Sequence, residues 1–175
     1  MAGKAWAWRG MVEADLPAVS AVAAAVHPGY PEEDAVFEER FRLFPEGCFM
    51  LEAGGRPVGY AIGHPWLRGQ PPALNTLLRG LPGVPSTFYL HDVALLPDAR
   101  SGGAGTTVAA LMAGAAKGLA CISLVAISGT GGFWERQGFR EMRSQASDRA
   151  LKHYGPGARY MERTIPASFD PSGER

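Results

Sequence analysis

The sequence is poor in features that would fix a function class at once. It has only two cysteines, Cys48 and Cys121, each inside an apolar stretch and without a CxxC spacing. Such isolated cysteines favour packing in the core over a disulfide framework or a metal site, with a catalytic thiol as the alternative. No apolar run approaches the length of a membrane span.

An excess of charge of one sign is also missing, because 17 basic residues offset 17 acidic ones. A chain without net charge has no long-range field that would draw it to nucleic acid or to a lipid surface. We therefore expect no nucleic-acid partner and no membrane partner, and a small molecule becomes the default. The N-terminus has no apolar segment of the kind that directs secretion, which predicts a cytoplasmic location.

What the chain does have is enough length for one compact core. Its 175 residues predict a single domain over 1–175, with a loose tail at 166–175. The 23 glycines and 14 prolines lie between apolar segments and not in one tract, which is typical of turns in a globular fold.

Apolar periodicity predicts an α/β fold built on a mixed sheet. The predicted order is β-α-α-β-β-β-α-β-α-β-β, which is too irregular for a doubly wound parallel sheet and typical of a mixed sheet with flanking helices. Strands are expected near 5–9, 48–52, 58–66, 86–96, 121–127, 139–143 and 160–165, and helices near 16–26, 32–44, 105–117 and 133–136. The proline-rich segment 67–85 is expected to be a long loop.

The most informative stretch is DARSGGAG, residues 98–105, between a predicted strand and a predicted helix. The first N–H groups of a helix lack partners and carry a partial positive charge, so they can hold an anion. Gly102, Gly103 and Gly105 would let that anion approach the backbone. Arg100 could add a charge-assisted hydrogen bond, and a diphosphate fits all of these features.

Two other kinds of phosphate loop fit the stretch less well. The Walker pattern requires a lysine after its last glycine, whereas Gly105 is followed by Thr106 and Thr107. The dinucleotide fingerprint belongs near the first strand of a parallel sheet, whereas this loop lies past the middle of the chain. A nucleotide-binding protein therefore stays only as an alternative.

Three motifs of the chain occur together in a familiar order. The first is R-x-x-G-x-G from Arg100 to Gly105, behind a strand that ends in Ala-Leu-Leu-Pro at 94–97. The others are FWERQGF at 133–139 and the opening RGMVEADLPAV at 9–19. On these motifs the chain resembles the GNAT superfamily of acyl-CoA-dependent N-acyltransferases, over about residues 8–165.

The resemblance implies a central mixed, mostly antiparallel sheet with a V-shaped opening between the strand ending at Leu96 and the strand at 121–127. The pantetheine arm of acetyl-CoA would lie in that opening along the first strand, with its diphosphate on the glycine loop. The implied cofactor-binding residues are Val93, Ala94, Leu95, Arg100, Ser101, Gly102, Gly103, Ala104, Gly105, Thr106, Ser128 and Phe133. The superfamily often forms dimers, so a homodimer is one implied arrangement.

An amine must lose a proton before it can attack a thioester, which requires a base of near-neutral pKa. His91 is similar in position to a histidine that acts as base, often through a water, in the arylalkylamine branch of the superfamily, which implies a role as base or water holder. Asp92 is the second candidate, because other branches use an acidic residue on this strand. Strand alternation turns only one of the two toward the substrate unless a bulge intervenes. The alternative for His91 is a half-buried histidine without a catalytic role.

A proton donor for the departing thiolate is harder to identify. Trp134 stands where many family members carry the tyrosine that protonates the thiolate, and an indole N–H cannot replace it. Tyr154 or Tyr160, both in late elements of the chain, could reach the sulfur instead. Water and backbone N–H groups are the remaining alternative.

The acceptor pocket is expected to be bordered by the segment 27–30, by the strand end at 64–66 and by the proline-rich loop that runs to Pro85. The candidate substrate-binding residues are Tyr30, His64 and Trp66, whose rings would suit an apolar or aromatic acceptor. His64 and His91 lie on neighbouring predicted strands but lack a third ligand, so no metal is expected.

These expectations combine into one function. The chain is predicted to be an N-acetyltransferase that transfers acetyl from acetyl-CoA to a primary amine by direct attack in a ternary complex. The acceptor would be a small-molecule amine or a protein amine. The alternative is a catalytically silent CoA-binding sensor or interaction module of the same fold, which the missing tyrosine favours.

Overall fold

The computed structural model of the protein describes residues 5–166. The predicted loose tail at 166–175 therefore lies outside the described residues, apart from Pro166.

Seven strands and six α-helices occur within residues 5–166. The strands are β1 (Trp6–Gly10), β2 (Cys48–Ala53), β3 (Arg56–Trp66), β4 (Thr87–Leu95), β5 (Cys121–Ala126), β6 (Arg140–Glu141) and β7 (Arg159–Thr164). The helices are α1 (Leu16–Val26), α2 (Asp34–Leu43), α3 (Pro97–Arg100), α4 (Val108–Ala115), α5 (Gly131–Arg136) and α6 (Gln145–Leu151). Short 3₁₀ turns lie at Glu13–Asp15, Pro45–Gly47, Ala104–Thr107 and Lys152–Tyr154.

All seven strands belong to one sheet, in the order β1-β2-β3-β4-β5-β7-β6. β4 and β5 run parallel, and every other neighbouring pair is antiparallel. The mixed, mostly antiparallel sheet confirms the predicted fold class.

The central strand β3 explains how the sheet separates two layers of core. Tyr60 and Ile62 pack with residues of α1 and α2, whereas Ala61 packs with residues of α4 on the opposite face. Because both faces of β3 are covered, its middle is apolar at every position and not at every second one. The helices therefore cover both faces of the sheet.

The strands β4 and β5 separate after a short paired stretch. Their pairing covers Phe88 to Leu90 on β4 and Ile122 to Leu124 on β5. β4 then continues to Leu95 without any further pairing to β5. The two strands thus open toward their carboxyl ends, and the predicted opening between them is present.

The fold contains two helices, α3 and α6, that the sequence pattern does not predict. The sequence of α6, QASDRAL, has too few large apolar residues to show a helical period. Its start is fixed locally by Ser144, whose hydroxyl accepts the N–H of Ser147 at 3.1 Å. The helix predicted for 105–117 also begins differently, because Ala104–Thr107 forms a 3₁₀ turn before α4.

Candidate active site

A cavity of about 500 Å³ lies where β4 and β5 separate. Its walls come from the α1–α2 connection, the ends of β4 and β5, and the start of α5. One end, which we call the histidine–carboxylate end, contains His27, Glu32, His91 and Asp92. The other, the glycine-loop end, contains Leu95, Arg100, Gly105 and Phe133.

A bulge in β4 decides which side chains reach the histidine–carboxylate end. In the pairing of β4 with β3, Asp92 lies opposite Ile62 and Leu90 opposite Gly63, so His91 has no partner. Such an extra residue interrupts the alternation of side chains between the two faces of a strand. His91 and Asp92 both line the cavity, so the expectation from simple alternation, that only one of them faces it, is wrong.

Glu32 lies against His91, although nothing in its sequence context singles it out. Its Oε1 lies 2.9 Å from Nε2 of His91, and the two side chains are 5% and 3% exposed. Burial works to raise the pKa of Glu32, but the imidazole of His91 beside it outweighs burial and lowers that pKa. Glu32 is therefore ionised at neutral pH and places a fixed negative charge beside His91.

His27 and Asp92 form a second histidine–carboxylate pair. Nε2 of His27 lies 3.1 Å from Oδ1 of Asp92 and 3.1 Å from the carbonyl oxygen of Val93. Since both partners are acceptors, this nitrogen carries the proton. Tyr60 donates its hydroxyl to Asp92. The sequence placed the segment 27–30 at the acceptor pocket, but it gave no signal for the Tyr60 contact.

The two groups of this second pair shift each other's pKa. Burial works to raise the pKa of Asp92, but the hydrogen bond and charge of His27 outweigh it and lower that pKa. Burial likewise works to lower the pKa of His27, and the hydrogen bond and charge of Asp92 raise it overall. The carboxylate is thus held ionised and the imidazole is biased toward its charged form.

The glycine loop is shaped more by backbone and packing than by charged side chains. Gly103 has a φ of 80°, a left-handed conformation that favours glycine. The carbonyl of Gly102 accepts the indole N–H of Trp6 at 2.8 Å, and a Cβ at Gly102 would lie 2.4 Å from that nitrogen. Within residues 5–166, the N–H groups of Gly103, Ala104 and Gly105 donate to no protein acceptor. These N–H groups meet the requirement for an anion site at a helix start.

The predicted cofactor residues divide into those that line the cavity and those that support it. Val93, Leu95, Arg100, Gly105 and Phe133 line it. Ala94, Ser101, Gly102, Gly103, Ala104, Thr106 and Ser128 are not part of its walls. Ala94 packs on the opposite face of the sheet with residues of α1.

The FWERQGF motif contributes an aromatic wall. Phe133 and Trp134 both line the cavity. The ring of Trp134 packs edge-on against Phe133 and Phe139, at centroid distances of 4.9 Å and 5.4 Å. Trp134, in the place of the family's usual tyrosine, therefore serves as packing between the cavity and the core.

The two tyrosines predicted as proton donors lie in different places. Tyr154 lines the cavity and donates its hydroxyl to the carbonyl of Pro72 at 2.8 Å. Tyr160 lies outside the cavity walls, where its hydroxyl donates to Glu162 at 2.9 Å and accepts the N–H of Gly69 at 2.8 Å. Burial raises the pKa of each to about 12. Only Tyr154 is placed to reach a bound substrate.

Of the three residues predicted to border the acceptor pocket, Tyr30 lines the cavity and the other two do not. His64 is fully buried, and burial lowers its pKa to about 3. Its ring lies between those of Tyr89 and Trp66. Trp66 donates its indole N–H to the carbonyl of Gln70 at 2.8 Å, which anchors the start of the proline-rich loop. The placement of His64 and Trp66 at the pocket is therefore corrected, because both pack beneath the loop.

Within residues 5–166, no group of three or more His, Cys, Asp or Glu side chains could hold a metal ion. No helix there is long and apolar enough to cross a bilayer.

Solved structures share this fold over nearly its whole length. The loading GNATL domain of CurA from Lyngbya majuscula has a TM-score of 0.74 at 12% identity, covering 91% of this chain and 98% of that one. The GphF GNAT-like decarboxylase in complex with isobutyryl-CoA has a TM-score of 0.75 at 16% identity, covering 90% and 98%. The ribosomal-protein-S18-alanine N-acetyltransferase from Escherichia coli has a TM-score of 0.63 at 17% identity, covering 95% and 98%. At such identities the likeness is one of fold.

No curated protein sequence matches the chain at a significant level. A family model does match, however, and it is described as the acetyltransferase (GNAT) family. The match covers residues 11–139, most of the chain, and includes both the glycine loop and the FWERQGF motif. The chain therefore belongs to the GNAT acetyltransferase family.

Proposed function

We propose that the protein transfers an acetyl group from acetyl-CoA to a primary amine by direct attack in a ternary complex. The single observation that carries this proposal is one cavity that joins the glycine loop to two histidine–carboxylate pairs. A cavity with this composition can hold a thioester cofactor at one end and accept a proton at the other. The acceptor is a small-molecule amine or a protein amine.

The glycine-loop end fits the diphosphate of CoA. Its unpartnered N–H groups would donate to phosphate oxygens, as the start of a helix does for anions. Arg100 donates its Nε–H to the carbonyl of Leu95 at 3.0 Å, which orients the guanidinium for a second, charge-assisted contact. The absence of a side chain at Gly105 leaves room for the ring of Phe133, because a Cβ there would lie 3.3 Å from that ring.

The exposed edge of β4 fits the pantetheine arm. Beyond Leu90 this strand makes no pairing with β5, so the backbone of Val93 to Leu95 is available to an extended ligand. The carbonyl of Val93 now lies 3.1 Å from Nε2 of His27. A bound pantetheine amide would share or replace that contact, which places His27 beside the reacting thioester.

The histidine–carboxylate end fits the proton transfer that an amine requires. His91 would take a proton from the ammonium form of the acceptor, and the neutral nitrogen would then attack the thioester carbon. The C–N bond forms, the C–S bond breaks, and the amide product gives up its second proton as the thiolate becomes a thiol. Asp92 stays ionised, because His27 and Tyr60 hold it, and it would attract the cationic acceptor.

Tyr154 is the proposed proton donor to the thiolate, and the second proton that the nitrogen loses returns to its hydroxyl oxygen. Its hydroxyl lies at the cavity and is protonated at neutral pH, since burial raises its pKa to about 12. Its hydrogen bond to Pro72 must then yield to the sulfur when the cofactor is bound.

Two other functions are less well supported. A catalytically silent CoA-binding module would not need a buried histidine beside an ionised carboxylate, which costs solvation free energy. A decarboxylase, as the name of GphF describes that protein, would have to accept a substrate carboxylate. Glu32 and Asp92 place two negative charges where that group would bind, and like charges repel.

The test is binding and turnover with the intact protein. CoA should raise the melting temperature, whereas ATP and NAD should not. Acetyl-CoA with a panel of small amines and of peptides with a free N-terminus should release thiol and yield acetylated amine. Binding without turnover across that panel would support the silent module, and stabilisation by ATP or NAD alone would support a nucleotide-binding protein.

A further inference from the structure

The proline-rich loop between β3 and β4, residues 67–86, contains no helix or strand, and yet its middle is fixed. Long loops of this kind in a compact domain are usually either mobile or functional. Within residues 5–166, the two residues other than glycine with a positive φ are Asn75, at 55°, and Arg79, at 63°. A left-handed backbone is unfavourable for a side chain as large as arginine, so it persists only where the surroundings hold it. Other parts of the fold therefore impose the conformation of this loop.

Two buried charged side chains of α2 hold the far part of the loop. The two carboxylate oxygens of Glu39 accept the N–H of Leu78 at 2.6 Å and the N–H of Arg79 at 2.9 Å. Arg40 donates to Glu39 at 2.7 Å and to the carbonyl of Thr76 at 2.9 Å. The side chains of Arg40 and Glu39 are 0% and 5% exposed. Buried charges need hydrogen-bond partners, and because the loop backbone supplies them, movement of the loop would leave the pair unsatisfied.

Two further contacts join the loop to neighbouring walls of the cavity. Oε2 of Glu32, on the α1–α2 connection, accepts the N–H of Asn75 at 3.0 Å. Tyr154 donates its hydroxyl to the carbonyl of Pro72 at 2.8 Å. Leu74 lies between these two anchor points and lines the cavity, as Glu32 and Tyr154 do. Leu74 is therefore held in the wall of the histidine–carboxylate end.

The contact of Tyr154 yields to the thiolate in the proposed reaction, but the other anchors take no part in that step. The N–H groups of Asn75, Leu78 and Arg79 stay bound to carboxylates of the α1–α2 connection and of α2. The wall thus keeps its position when the cofactor is bound.

The surroundings of Leu74 combine apolar surface with negative charge. Val26 and Tyr30 line the same cavity, as do Glu32 and Asp92. An ammonium group would lie at the carboxylates, and an apolar body attached to it would pack against Leu74 and the other apolar side chains.

The volume of the cavity limits the size of the acceptor. The whole cavity measures about 500 Å³, and it must hold the thioester arm of the cofactor together with the acceptor. Pockets of this size hold one drug-sized ligand, so the share left for the acceptor is that of a small molecule. A polypeptide would have to extend beyond this volume, and between the joined walls it could do so only by breaking a contact such as that of Glu32 with Asn75.

We propose that Leu74 is a specificity-determining residue, which the anchored loop holds as a fixed wall that limits the length of the acceptor, a small primary amine with an apolar body. The inference rests on the proposed function and names the acceptor class of that same site. It also gives the proline-rich loop a role in substrate selection.

The experiment measures kcat/KM with acetyl-CoA for straight-chain primary amines from ethylamine to octylamine. The native protein should prefer one chain length, and kcat/KM should fall by about tenfold or more for each methylene beyond it. Leu74→Ala removes three side-chain carbons, so its optimum should move to amines longer by about two or three methylenes. Leu74→Phe should move the optimum to shorter amines. The KM for acetyl-CoA should stay within about twofold in both variants.

Leu77→Ala is the matched control. It makes the same chemical change further along the same loop, on a side chain that is 46% exposed and is not part of the cavity walls. Its optimum chain length should equal that of the native protein. An equal shift of the optimum in Leu74→Ala and Leu77→Ala, or no shift in Leu74→Ala, overturns the proposal.

Hydrogen exchange tests the wall without any turnover. The N–H groups of Asn75, Leu78 and Arg79 should exchange at least about 10²-fold more slowly than that of Leu77. The N–H of Leu77 has no acceptor within residues 5–166 and serves as the internal reference. If all four exchange at the same rate, the wall is mobile and the proposal is overturned.

Peptides with a free N-terminus test the acceptor class. Their kcat/KM should be lower than that of the best amine by about 10²-fold or more, and equal values overturn the proposal.

If nothing is acetylated, the proposed function fails, and the melting temperature with CoA and each amine gives the same length series as binding. A longer optimum in Leu74→Ala then still supports the role of Leu74, and an unchanged optimum overturns it. Failure of the proposed function is thus distinguished from failure of this inference.

Discussion

The two ends of the cavity are built from different materials. The glycine-loop end uses backbone N–H groups, a left-handed glycine and one exposed arginine, all within residues 95–105. The histidine–carboxylate end uses buried titratable side chains from the α1–α2 connection, β3 and β4. One continuous segment supplies most of the groups proposed to bind the cofactor. The proposed proton-transfer residues come together only when segments that are distant in the sequence pack against each other.

The two ends also differ in how far they depend on titratable side chains. Groups at the histidine–carboxylate end are buried in contact with each other, and these contacts shift the pKa values of His27, Glu32 and Asp92. The glycine-loop end has few charges to shift, and its affinity for an anion depends on backbone geometry. Changes at the first end should therefore alter rate and pH dependence, and changes at the second should alter cofactor affinity.

The largest expected effect separates the two ends. His91→Ala should lower turnover by about 10²- to 10⁴-fold, the usual contribution of a general base, and it should retain the rise in melting temperature with CoA. His153→Ala, on an exposed 3₁₀ turn, is the matched control for the loss of a histidine. If His91→Ala also abolishes the CoA-induced stabilisation, the division between the ends is wrong.

The reverse separation uses Arg100→Ala. Loss of a charge-assisted contact to phosphate should weaken CoA binding by about tenfold, with kcat at saturating acetyl-CoA unchanged. Isothermal titration with CoA and steady-state kinetics measure the two quantities. Arg56→Ala, an exposed arginine in the β2–β3 hairpin, should change neither. A fall in kcat at saturation would show that the loop also positions the thioester.

The smallest expected effect is that of Gly102→Ala, which tests whether this glycine of the loop is needed for packing. Gly102→Ala should lower the free energy of unfolding by about 1 kcal/mol, because its Cβ would displace the Trp6 indole. CoA affinity should stay within about twofold. Combination with Trp6→Ala should cost less than the sum of the two single changes, since the clash is then absent. Urea unfolding measures the free energies.

Gly114→Ala is the control for that glycine series. Nothing lies within 4 Å of a Cβ at Gly114 in the last turn of α4, so alanine should stabilise the helix, by less than the roughly 0.5–1 kcal/mol expected in the middle of a helix. If Gly102→Ala instead leaves the unfolding free energy unchanged and weakens CoA binding, Gly102 belongs to the phosphate site and not to the packing of Trp6.

Much of the fold could be predicted from local pattern. The apolar run of β3, the hairpin of β2 and β3, and α1 behind Pro17 all follow period and turn chemistry. The helix α6 could not be predicted, because its sequence lacks an apolar period and Ser147 is its buried residue. The bulge at His91 is likewise invisible in β4, since a bulge is a property of the pairing between two strands.

The sequence by itself determined the glycine loop, the aromatic motif that follows it, and through them the GNAT family of the chain. Those features are continuous segments of the chain, although the indole of Trp6 also donates to the carbonyl of Gly102. Only the tertiary structure decided which groups surround His91, which tyrosine reaches the cavity, and that His64 and Trp66 pack beneath the loop. Titratable side chains act over a few ångströms, and distances of that size between α2, β3 and β4 are set by packing of the whole domain.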